Sequence, residues 1–71
     1  EIRTIRIADD SQYAGKMLKE TMIRSQYQVS IVAIRRGQQM TVSPGGDEML
    51  CGGDLVMVLG SPEDIIRAFS A

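Results

Sequence analysis

Histidine and tryptophan are absent from this chain of 71 residues, and cysteine occurs once, at Cys51. Without histidine the chain lacks the side chain that most often moves protons near neutral pH and most often ligates transition metals. One cysteine excludes an internal disulfide. Flanked by Leu50 and Gly52 and with no imidazole to activate it, Cys51 reads as a packing thiol rather than a nucleophile. Catalysis is therefore not expected. Tyr13, Tyr27 and Phe69 are the whole aromatic complement, so the core must be built from Ile, Val, Leu and five methionines, the last being adaptable filler. No apolar run approaches the roughly 20 residues that a membrane-spanning helix needs, and no secretion signal is recognisable. With a lone cysteine, this points to a reducing, cytoplasmic setting.

A charge of one sign is also missing. Eight Lys and Arg face nine Asp and Glu, a net charge of −1, which gives no overall electrostatic footprint for nucleic acid or an anionic membrane surface. Direct nucleic-acid contact and membrane insertion are not expected. A chain this short forms at most one domain, residues 1–71, and its small core makes it marginal alone, so burial against a partner is expected. It starts at Glu1 and runs straight into a strand pattern, which reads as a piece of a longer polypeptide.

Along the chain, Ile2 to Ile7 is β-branched and partly alternating, with Ile5 and Ile7 on one face and Thr4 and Arg6 on the other. Asp9, Asp10 and Ser11 offer cap side chains to an amphipathic helix whose stripe is Ala14, Met17, Leu18, Thr21 and Met22. Arg24 to Gln28 is polar and reads as a connection. Val29 to Ile34 is nearly continuous in apolar residues, so both faces of that strand should be covered. Gly37-Gln38 then marks a tight hairpin to a strand over Gln39 to Ser43, and Pro44-Gly45-Gly46 ends it. A helical turn over Asp47 to Cys51 precedes the last strand, Leu55 to Leu59, also apolar on both faces. Ser61 as N-cap, Pro62 in the first turn and Glu63-Asp64 at the positive end of the dipole start a final helix with Ile65, Ile66 and Phe69 inward. The order is β-α-β-β-β-α, an α+β fold of two helices on a small mixed sheet.

Chemical motifs are few. Gly15-Lys16 is not a phosphate loop, since Asp10 and Met17 stand where that loop needs Gly and Ser or Thr. Asp9-Asp10 and Asp47-Glu48 lack the ligand ladder of a calcium loop and read as cap and solvent groups. Asp54 reads as a turn residue accepting local backbone N–H bonds. Arg35 and Arg36 close the central strand and should point to opposite sides; a guanidinium suits phosphate, although arginines at strand ends are commonly just solvated.

Taken together, Gly15-Lys16-Met17-Leu18-Lys19-Glu20, Ile23-Arg24, Ala33-Ile34-Arg35-Arg36, Pro44, Asp47, Leu50, Gly53-Asp54-Leu55, Val58 and Gly60 resemble the RCK_C or TrkA-C family, the C-terminal regulatory domain of potassium-uptake gating subunits. Met17 replaces a frequent small hydroxyl residue, and Gly45-Gly46 makes the loop after Pro44 permissive. The resemblance implies a homodimer attached to a Rossmann-type domain or a membrane transporter, sensing rather than catalysing, with cyclic di-AMP as a ligand on the dimer two-fold. Carried over, it places the site on Ile31, Val32, Val42 and Pro44 for adenine, Arg35 or Arg36 for phosphate, and Thr41 or Ser43 as polar contacts. The alternative is a structural dimerisation module of a transporter or transcription regulator, without ligand.

Overall fold

The computed structural model describes residues 1–70 and contains β1 (Ile2–Arg6), α1 (Leu18–Thr21), α2 (Ile23–Tyr27), β2 (Ser30–Arg36), β3 (Gln39–Val42), β4 (Leu55–Leu59) and α3 (Pro62–Phe69). The four strands form one sheet in the order β1-β4-β2-β3. The α+β class holds, but every adjacent pair is antiparallel, where a mixed sheet was expected. The reason is topological. The helical crossover from β1 to β2 makes those two strands parallel, yet β4 inserts between them, antiparallel to both, so no parallel pair is ever hydrogen-bonded.

Among the described residues three helices replace the expected two. The single helix expected after the Asp9–Ser11 caps, with its stripe from Ala14 to Met22, does not form: Gly15 takes φ 83°, and Met22 at φ 56° separates α1 from α2, which occupies the stretch read as a polar connection. Tertiary pairing overrides the helical periodicity. Gly15 and Leu18 donate to the carbonyls of Leu50 and Glu48 at 2.7 and 2.8 Å, and Leu50 donates back to Lys16 at 2.9 Å. The same pairing, with a bridge between Met17 and Met49, extends the segment expected to be a helical turn over 47–51.

Elsewhere the local signals are followed. Gly37 takes φ 62° at the first of two turn positions, the glycine requirement of a type II′ hairpin. Ser61 accepts a hydrogen bond from the Asp64 amide at 3.1 Å, and Pro62 opens α3. The helix buries Ile65 and Ala68, with Phe69 half-buried, while Ile66 lies 55% exposed. Ile66 is displaced because Ile65, Ala68 and Phe69 already supply the i, i+3, i+4 stripe.

The core lies between one sheet face and the helices. It gathers Ile7, Tyr13, Ile23, Val29, Ile34, Leu50, Val56, Val58, Ile65 and Ala68. Tyr13 anchors α3 twice, donating its hydroxyl to the Ala68 carbonyl at 2.5 Å and meeting Phe69 edge-on at 5.6 Å. Burial raises its phenol pKa above the ordinary value. The second sheet face carries no helix among the described residues, so β2 and β4, expected to be covered on both sides, present one open face.

Candidate ligand cleft

Three left-handed residues shape one end of the molecule. Met22 and Gln28, at φ 56° and 58°, turn α1 into α2 and α2 into β2; Ser43, at φ 52°, turns the chain out of β3 into Pro44. Lys19 donates its amide to the Gly46 carbonyl at 3.0 Å, tying the post-Pro44 loop to α1. A Cβ at Gly46 would meet the Lys19 Cβ at 3.2 Å, so this close approach favours glycine. Between these parts opens a cleft of about 260 Å³. Its walls are Leu18, Thr21, Ile23, Val29, Ile31 and Pro44, with Lys19, Arg24, Ser30, Gly45 and Gly46 contributing polar groups and open backbone.

Of the residues expected to form a site, only Ile31 and Pro44 line this cleft. Val32 is the extra residue of a β-bulge, where the β2–β4 register shifts between Ile31 and Ala33, and it does not line the cleft. Val42, 70% exposed, is opposite Ala33, and Thr41 is opposite Ile34, on the helix-covered face. Arg35 is exposed and donates Nε to the Gly37 carbonyl at 3.1 Å.

Arg36 is committed internally. Its Nε and Nη2 donate to the two carboxylate oxygens of Asp54, both at 2.9 Å, and Nη2 also reaches the Met49 carbonyl at 2.8 Å. Asp54, 1% exposed, accepts in addition from the Cys51 amide at 2.8 Å. The Arg36 bonds hold its carboxyl below the usual carboxylate range, while the guanidinium pKa is raised in return. This forked pair fastens the β2–β3 hairpin to the loop before β4. The expected local capping by Asp54 is present, with a partner 18 residues away that local reading does not supply. Cys51 beside it is half-buried and free.

Arg24 is the cation that sequence reasoning left out of the site. It stands in the cleft wall, and no carboxylate lies within ion-pair distance of it among the described residues. Its signal was the Ile23-Arg24 pair, hidden by reading 24–28 as a connection. No group of three or more His, Cys, Asp or Glu side chains comes together among the described residues. No described helix is long and apolar enough to cross a membrane.

A family model of the TrkA-C domain matches residues 2–71. The chain belongs to the TrkA-C family. It is 40% identical over 63 residues to the Ktr system potassium uptake protein C of Bacillus subtilis, covering 89% of this chain and 28% of that protein. This TrkA-C domain also resembles the RCK_C domain dimer of Streptococcus agalactiae BusR in complex with c-di-AMP, with TM-score 0.85, 29% identity, and coverage of 93% and 87% of the two chains. A further likeness is to the RCK C domain of the potassium transport protein KtrA, solved with cyclic diadenosine monophosphate: TM-score 0.85, 30% identity, 94% of this chain and 76% of that one. The chain thus spans about a quarter of its curated relative, but most of each solved domain.

Proposed function

We propose that this domain is the cytoplasmic ligand sensor of a potassium transport system, and that two copies share one cyclic di-AMP molecule across a two-fold axis running past the cleft. The observation that carries the reading is the chemistry of the cleft. It has an apolar floor of Ile31 and Pro44 for a purine and a neighbouring guanidinium, Arg24, with no counter-charge among the described residues. Guanidinium matches phosphate in geometry and charge. The size agrees: one cleft of about 260 Å³ falls below the roughly 300–1,000 Å³ of common small-molecule sites, whereas two facing clefts reach that range. A symmetric dinucleotide meets the same residues twice on an isologous interface.

Ligand contact would draw the α1–α2 elbow and the Pro44–Gly46 loop of two subunits together. The positions of two attached transport subunits would then be biased by as much as the ligand prefers the closed pairing. No step in this mechanism breaks or makes a covalent bond. Isothermal titration calorimetry of cyclic di-AMP, with cyclic di-GMP and AMP as controls, tests it. One ligand per two chains, bound at least tenfold more weakly by Arg24→Ala, is the expected result. A folded, dimeric sample that gives no heat would establish the second reading, a dimerisation module without ligand. That reading draws on one observation: no buried side-chain polar atom lacks a partner among the described residues, so none is left waiting for a ligand.

A further inference from the structure

The open face of the sheet has a composition of its own. Across the strands, Arg6, Leu55, Arg35 and Met40 stand opposite one another in one row. Thr4, Met57, Ala33 and Val42 form the next, and Ile2, Leu59 and Ser30 a third. Ile2, Val42, Met40 and Leu59 are 63%, 70%, 54% and 45% exposed, so a contiguous apolar surface meets water where isolated exposed residues would be ordinary. Small Ala33 lies between Met57 and Val42 in the middle row.

The charges on this face say what fits it. Both cations, Arg6 and Arg35, flank Leu55 in one row, and no carboxylate occurs in these three rows. Neither arginine is in an ion pair among the described residues. A second copy laid face to face would bring two more arginines and no counter-charge from this face. An anionic lipid surface would gain only two cations from a domain whose net charge is −1. An amphipathic helix supplies what is missing: an apolar stripe for Leu55, Met57 and Leu59, and flanking carboxylates for the arginine row. About 12 helical residues span some 18 Å, matching a five-residue strand of about 17 Å.

We infer that the open sheet face is the docking site of an amphipathic helix whose apolar stripe is bordered by acidic residues. This surface meets the ligand cleft only at Ser30 and does not depend on it.

The test uses the whole chain and two labelled 16-residue peptides with leucines at i, i+3, i+4 and i+7, one flanked by Glu and the other by Lys. Binding is read by fluorescence anisotropy and mapped by amide chemical shifts. The Glu peptide should bind at least tenfold more tightly than the Lys peptide, with shifts at Ala33, Leu55, Met57 and Leu59. The exposed double variant Arg6→Glu/Arg35→Glu should reverse that preference and leave cyclic di-AMP titration unchanged. Equal binding of the two peptides, or shifts confined to the helical side, overturns the proposal. So does binding to phosphatidylglycerol vesicles that the double variant abolishes, which assigns the face to lipid. Self-association removed by Met57→Glu assigns it to a second copy and likewise overturns it.

Discussion

Arg24 and Arg36 are both arginines at the margin of a secondary-structure element, twelve positions apart, yet they serve opposite ends. Arg36 meets a carboxylate that is 1% exposed, at two 2.9 Å hydrogen bonds, so its charge is spent on holding the hairpin to the β4 loop. Arg24 faces a concavity with no acid in reach among the described residues, so its charge remains available to something outside them. Which role an arginine takes is decided by what the fold places around it. Arg35, next in sequence to Arg36, makes the same point from the other side of the strand, where its guanidinium donates to the Gly37 carbonyl.

The largest way to break this contrast is Arg36→Ala. It strands the Asp54 carboxylate in the interior, and loss of about 3 kcal/mol in urea unfolding is expected, at the low end for a broken buried pair because the guanidinium is itself half-exposed. The pH dependence sharpens the result. The folded-state pKa of Asp54 is lowered, so the pair's contribution is complete above about pH 4–5 and is lost as pH falls through the folded value. Wild type should therefore lose stability in acid more steeply than Arg36→Ala, read from unfolding midpoints between about pH 2 and 6. Parallel curves would show that the pair does not control acid stability.

Arg24→Ala should do the reverse. Stability should stay within about 0.5 kcal/mol, while cyclic di-AMP affinity falls tenfold or more, the effect of losing a charge-assisted contact of about 1.5–3 kcal/mol. A smaller effect is expected from Asp47→Ala, which removes an exposed ion pair to Lys19 and should cost under about 1 kcal/mol in thermal unfolding. Arg35→Ala closes the series with no measurable change in either stability or ligand affinity. A loss of ligand there would move the phosphate contact to the open sheet face and undo the comparison with Arg24.

Apart from α2, which occupies a stretch read as a connection, structure that follows from neighbours in the chain was readable in the sequence. The β2–β3 hairpin follows from a glycine that tolerates φ 62°, α3 from a hydroxyl cap, a proline and two acids, and the local role of Asp54 from its place before β4. The family pattern was legible as well, because it is spread over short segments that each survive local reading. Only the tertiary structure decided the rest. Pairing of residues 15–19 with 46–50 consumes the backbone groups that a long first helix would need, and insertion of β4 between β1 and β2 removes parallel pairing. The same long-range contacts gather Leu18, Arg24, Ile31 and Pro44 into one cleft and divert Arg36 to Asp54. Periodicity reports which way a side chain points along its own element; which partner it meets there depends on contacts tens of residues away, and no local pattern encodes them.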